Sequence, residues 1–216
     1  MEEDKDQRQK GRAKKNKAKN RKILISLIAL FATPVMFAYV AYFGNWFESA
    51  GAAQGELIDI EKITDIEDYT LTRVSGDVYT GKEFETLYWW LIPIQKPICD
   101  QKCVDLNLYV VHQTYIGLGK EASRINQLVV LETESVLNVG SFPVARSRFS
   151  NTGIQAVDKK VREKKSDLPS NFIYLVDPLG NIFMRYPLID DKSNAAELSK
   201  KLRTDILHLF KYSRLG

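Results

Sequence analysis

Apolar residues run without a single charge from Ile23 to Phe43, the longest such run in the chain. Twenty-one residues rising ~1.5 Å each make a helix of roughly 31 Å, the thickness of a bilayer's hydrocarbon core. The pattern therefore predicts a transmembrane helix, and Pro34 within it predicts no more than a kink. Tyr39, Tyr42, Phe43, Trp46 and Phe47 form an aromatic belt at one end, while basic residues crowd the other. The anchor spans residues 23–47, and the side bearing the basic tail is the cytoplasmic one. Ala50-Gly51-Ala52 has the spacing of a signal-peptidase site, but signal h-regions run only ~7–15 residues, so an uncleaved anchor is favoured.

Beyond the anchor the period changes. Residues 48–57, with Ala50, Gly51, Ala52, Ala53 and Gly55, read as a flexible linker, and residues 58–216 as one domain. Tyr69 to Thr80 suggests a hairpin around Ser75-Gly76-Asp77, and Phe84 to Ile92 a strand buried on both faces. Val104, Leu108, Val111 and Tyr115 then recur at helical spacing until Gly117 and Gly119. Gln127 to Thr133 predicts another apolar strand, and Asn171 to Tyr186 two strands joined through Asp177-Pro178-Leu179-Gly180-Asn181. The intervening stretch 138–168 shows no period and reads as loop with some helix. An amphipathic helix closes the chain, with Asn194 and Glu197 as a capping pair and Leu198, Leu202, Ile206 and Leu209 on its apolar face. Strands and helices alternate, so the class is α/β, a sheet of four or five strands with helices on both faces.

Charge narrows the function. The net charge of +4 comes from the tail, where residues 1–22 carry ten Lys and Arg against four acids; the rest of the chain is about −2. A nucleic-acid binder needs its cations on the folded domain, so that class is excluded. Trp89 and Trp90 read as strand core, and the Lys159 to Lys165 charge run as a solvated segment.

Chemistry concentrates at Cys99 and Cys103, the chain's only cysteines. In an exported domain such a pair sits where disulfides persist. Four positions apart at a helix start they share a face about 6 Å apart, within disulfide reach. They can pair, or hold a metal jointly. A helix N-terminus stabilises a thiolate, which makes Cys99 the expected nucleophile and Cys103 the resolving residue. Two soft sulfurs also suit Cu(I), although a third ligand would be wanted, and His112 and His208 both fit helix packing better. A purely structural bridge is the third reading.

The order strand, Cys-x-x-x-Cys, helix, strand and the hairpin Phe172-Ile173-Tyr174-Leu175-Val176-Asp177-Pro178-Leu179-Gly180 resemble the Sco/SenC family of thioredoxin-like proteins, which assist assembly of the copper centre of cytochrome c oxidase. The resemblance covers most of residues 58–210. It implies a thioredoxin-like domain preceded by a single transmembrane helix, in an inner (plasma) membrane, with the N-terminus cytoplasmic and the C-terminal domain periplasmic. It implies as partner a respiratory oxidase subunit or its copper-site cysteines. Two positions depart from the family pattern: no proline follows Cys99, and the family's copper-ligand histidine, five residues before the hairpin tyrosine, is Pro169 here. Thioredoxin-like folds often set a cis proline against the dithiol, and Pro169 stands where it would take that part. The resemblance thus points to thiol-disulfide oxidoreductase chemistry at Cys99, Cys103 and Pro169, with Cu(I) held by Cys99 and Cys103 as the alternative and a non-catalytic scaffold on the oxidase as a further one.

Overall fold

The computed structural model describes residue 23 and residues 25–40, 43–44, 53–59, 64–157 and 167–212. The chain divides into two units, Met1–Ala52 and Ala53–Gly216. In the first, residues 25–40 are helical (α1) with every side chain exposed, including Leu30, Phe31, Met36 and Phe37. Among the described residues no helix is long and apolar enough to cross a membrane. The expected anchor extends beyond them, since residues 24, 41–42 and 45–47 lie outside the described set, as do the basic tail and residues 48–52.

The second unit is built on one strand. β4 (Tyr88–Ile94) is Tyr-Trp-Trp-Leu-Ile-Pro-Ile, buried at all seven positions, so both faces of the sheet at this point must be covered. It pairs in parallel with β5 (Ile125–Glu132) and antiparallel with β9 (Phe172–Val176). β5 pairs in parallel with β6 (Val144–Ser147), and β9 antiparallel with β10 (Asn181–Pro187). Short strands finish the edges: β1 (Glu56–Leu57) and β2 (Thr64–Asp65) on β10, and β3 (Thr72–Arg73) on β6. Among the described residues the order is β1-β10-β9-β4-β5-β6-β3, eight strands with β2, rather than four or five. A separate pair joins β7 (Gly153–Ile154) and β8 (Leu168–Pro169).

Both helices of this unit, α2 (Gln101–Gly117) and α3 (Ala195–Tyr212), pack on the same face, against Trp90, Ile92 and Ile94, with Val104, Leu108, Leu202 and Ile206. The expected helix on the other face is absent among the described residues. Trp89, Leu91 and Tyr174 are covered there by Ile66, Leu71, Phe84, Ile154 and Leu168. Apolar residues scattered through irregular segments do a helix's work, and their aperiodic spacing hid them from the hydrophobic pattern. The stretch 138–168 behaves likewise: its described part supplies β6, β7 and β8 and no helix. In β6 the pleat buries Ala145 and Ser147 and leaves Val144 and Arg146 half-buried, so neither face is uniformly apolar, and Ser147 is satisfied by donating to the Thr70 carbonyl at 2.8 Å.

The start of α3 also differs from expectation. A 3-10 turn at Lys192–Asn194 precedes it, capped by Asp191, whose side chain accepts from the Ser193 N–H at 2.8 Å. Glu197 pairs with Lys201 on the solvent side instead of capping. The hairpin of β9 and β10 follows the sequence closely. Asp177 Oδ1 accepts from the N–H groups of Leu179 and Asn181 at 2.8 and 2.9 Å, and Gly180 takes φ +91°, which a side chain would resist.

The domain begins earlier than residue 58. The backbone N–H of Gln54 donates to Asp205 Oδ1 at 2.9 Å and that of Gly55 to Asp205 Oδ2 at 2.7 Å. The buried Tyr186 hydroxyl donates to the same Oδ2 at 2.9 Å. Burial first, and Asp205 second, push the Tyr186 phenol well above its ordinary range, so it stays a donor. Asp205→Ala removes the acceptor these three donors share, and urea unfolding should show the domain less stable by about 2–4 kcal/mol.

Glu83 provides a pH handle. Its carboxyl is lowered to about 2 by a hydrogen bond from Arg73 and by bonds from Thr80. A depressed carboxyl stabilises the fold fully above its ordinary value of 4.5, and that contribution is lost as pH falls toward 2. The pair is about one-third exposed, so the effect is small. Acid titration of Glu83→Gln should show a shallower loss of stability between those values than the parent chain.

Candidate functional site

The site lies where β4 ends and α2 begins. The chain turns through Gln95-Lys96-Pro97-Ile98, the Cys99 N–H returning to the Gln95 carbonyl at 3.0 Å. The Lys96–Pro97 peptide is cis. Asp100 is the N-cap of α2: its side chain accepts from the Cys103 N–H at 2.9 Å, which places Cys103 at the third helical position. Asp100 stands immediately before the apolar-periodic run, where a cap is expected.

Cys99 and Cys103 form a disulfide, their Cα atoms 5.3 Å apart. The two sulfurs have different surroundings. Cys99 is 0 % exposed and belongs to the apolar core between sheet and helices, whereas Cys103 is half-buried at its edge.

Asn107, one turn along α2 and 0 % exposed, braces Cys103. Its Nδ2 donates to the Cys103 carbonyl at 2.9 Å and the Ile189 carbonyl at 2.7 Å, and lies 3.6 Å from Cys103 Sγ. Its Oδ1 accepts from the Ile189 N–H at 3.0 Å. One side chain thereby ties the segment after β10 to the turn of α2 that carries the outer sulfur. A polar residue on the apolar stripe with Val104, Leu108 and Val111 was the signal available in the sequence.

A second clamp holds the turn before Cys99. Gln95, buried, donates from Nε2 to the Ser150 carbonyl at 2.5 Å and accepts at Oε1 from the fully buried Ser170 hydroxyl at 3.1 Å. Gln101 does the same for the helix start, exchanging hydrogen bonds of 2.8 and 3.0 Å with the Asn138 backbone. Neither glutamine stood out in the sequence, because such clamps depend on what the fold brings opposite them.

Pro169 precedes Ser170, so the Gln95–Ser170 bond brings its segment to the cysteine turn. Its place is in β8, paired with Gly153, and its carbonyl accepts from the Tyr174 hydroxyl at 2.9 Å. Burial pushes the Tyr174 phenol upward, so it too remains a donor. The Leu168–Pro169 peptide is trans, so the cis proline expected at 169 is instead Pro97, within the cysteine turn itself.

The donor set does not fit a copper site. The two sulfurs are bonded to each other, and among the described residues no group of three or more His, Cys, Asp or Glu side chains gathers anywhere. His112 is exposed and edge-on to Phe142 at 6.0 Å; His208 is exposed on α3. The Lys159 to Lys165 run lies outside the described residues.

A cysteine pair bridging the end of a central strand and the first turn of the next helix, on a mixed sheet closed by a β-hairpin and a helix, defines a thioredoxin-like protein. The chain matches the family described as transmembrane-like, thioredoxin-like, C-terminal domain over residues 89–213, more than half its length, and belongs to that family. The expected thioredoxin-like α/β fold is therefore shown. Comparison with curated proteins finds no match. Among solved structures the chain is similar to yeast Sco1, at 16% identity, covering 73% of this chain and 100% of that one, with TM-score 0.47. It is also similar to BsSco, a member of the Sco family of cytochrome c oxidase assembly proteins, at 12% identity, 70% and 99% coverage and TM-score 0.38. Peroxiredoxin Q of Xanthomonas campestris is similar at 14% identity, 64% and 92% coverage and TM-score 0.35.

Replacing Asn107 by Leu, similar in volume, removes both bonds to Ile189. Denaturant unfolding should report a loss of about 1–3 kcal/mol, with the 187–190 segment opening to proteolysis first.

Proposed function

We propose that this chain is a membrane-anchored thiol-disulfide oxidoreductase that serves as an assembly factor for a respiratory cytochrome c oxidase, exchanging the Cys99–Cys103 bridge with cysteines of an oxidase subunit. One observation carries the chemistry: the domain's two cysteines are joined at the start of α2 with one sulfur inside the core and the other at its edge. A bridge over four positions closes too short a loop to remove much chain entropy, so stability is a poor reason for it.

Anchoring is supported by the uncharged run Ile23–Phe43 and by the exposed apolar side chains along α1, which require an apolar surrounding. The tail's charge orients it with residues 1–22 in the cytoplasm and the domain in the periplasm. The oxidase partner is supported by the hairpin and cysteine spacing shared with the Sco/SenC family. Pro169 is kept as a site residue on the Sco/SenC resemblance, and the Ser170–Gln95 bond next to it supports that reading.

Full-length chain in mild detergent, equilibrated in graded glutathione redox buffers and acid-trapped, should show one reversible transition involving both thiols. Either cysteine changed to Ser should abolish it. In parallel, Cu(I) added anaerobically to the reduced chain should be removed readily by a competing chelator. One copper per chain retained against that chelator, and lost in Cys99→Ser, would replace the oxidoreductase with a copper carrier. Neither redox transition nor retained copper would leave a scaffold whose bridge is structural.

A further inference from the structure

Which of the two sulfurs meets the partner is a matter of access. Exchange at a disulfide requires the incoming sulfur to approach the attacked sulfur along the S–S axis, so the sulfur that reacts with another protein must be reachable from outside. Cys99 is 0 % exposed. It sits before the N-cap of α2, and its backbone N–H is engaged by the Gln95 carbonyl. The turn that carries it is pinned by the buried Gln95–Ser170 bond, so exposing Cys99 means breaking a satisfied buried contact. Cys103 is half-buried and stands inside the first turn of α2. Asn107 Nδ2 stands 3.6 Å from its sulfur, a polar neighbour for a negative charge there, whereas the core around Cys99 is apolar.

We propose that Cys103 is the sulfur that exchanges with the partner and Cys99 the one that resolves, the reverse of the order expected from the sequence. The inference rests on the thiol-exchange function proposed above. Starting from the reduced chain and a partner disulfide, Cys103 thiolate attacks one partner sulfur. A bond forms between Cys103 Sγ and that sulfur, and the partner's other sulfur leaves as thiolate and takes up a proton. Cys99, having given up its proton, then attacks Cys103 Sγ from the core side. The internal bridge forms again and the second partner thiolate departs. The partner disulfide gains two electrons, which the Cys99/Cys103 dithiol loses. In the opposite direction a partner thiolate attacks Cys103 Sγ, and Cys99 is the leaving group into the core.

Lys102 lies between the two cysteines, so trypsin places them on separate peptides and each can be followed without mutation. The full-length chain in detergent is reduced, pulsed with limiting N-ethylmaleimide, and finished under denaturing conditions with the isotopically heavy reagent. Mass spectrometry of the two peptides should show Cys103 labelled at least ~10-fold faster than Cys99. With oxidised glutathione, Cys99→Ser should acquire one glutathione on Cys103, and Cys103→Ser should stay unmodified. Faster labelling of Cys99, or glutathione on Cys103→Ser but not on Cys99→Ser, overturns the assignment. Absence of a reversible transition in the redox buffers would defeat the oxidoreductase function instead, and the labelling order would still be read independently from the wild-type chain.

Discussion

A strand that is apolar at every position can exist in water only if both of its faces are covered, and β4 imposes that condition on the rest of the domain. Trp90, Ile92 and Ile94 demand a cover on one face, Trp89 and Leu91 on the other. Helices α2 and α3 meet the first demand with regular stripes. The second is met by segments whose regularity lies in where they end up rather than in their spacing. Since α2 must leave the end of β4 and fold back over it, the junction residues are forced to the rim of the core. That rim is where the cysteines lie.

Burying this junction creates polar obligations. A turn, a helix start and the segment after β10 converge on one corner, and their backbone groups lose water together. Gln95, Gln101 and Asn107 each tie this corner to a distant part of the chain. None of these bonds is strong by itself. Jointly they leave little freedom to the turn that holds Cys99, while Cys103, at the edge, keeps a face toward solvent. The difference between two chemically identical side chains is thus made by amides that hold the backbone around them.

Much of this was legible beforehand, and the limits follow from physics. β4, the apolar half of β5, α2, α3 and the β9–β10 hairpin announce themselves because burial repeats with the period of the element. The helix cap at Asp100 was not singled out, although its signal, an Asp just before the periodic run, is local. What escaped depends on partners remote in sequence: Asn107 needs Ile189, and Gln95 needs Ser150 and Ser170. The edge strands β1, β2 and β3 are two residues each, too short for any period to show. Asn194 looked like a cap and lost the role to Asp191, since a 3-10 turn moved the helix entrance upstream. The expected order of attack at the cysteines rested on the helix N-terminus alone and omitted burial, which only the fold supplies.

The anchoring of Gln54 and Gly55 on Asp205 bears on how the chain is made. The two contacting segments are 151 residues apart in sequence for Gln54, so this closure spans almost the whole domain. Loop closure over such a distance is entropically costly until the intervening elements are in place. During synthesis the first residues of the domain emerge long before α3 exists. The β1 edge of the sheet therefore waits without its carboxylate partner while everything between is laid down, and the arrival of the final helix both seals the core and fixes the end at which the domain began.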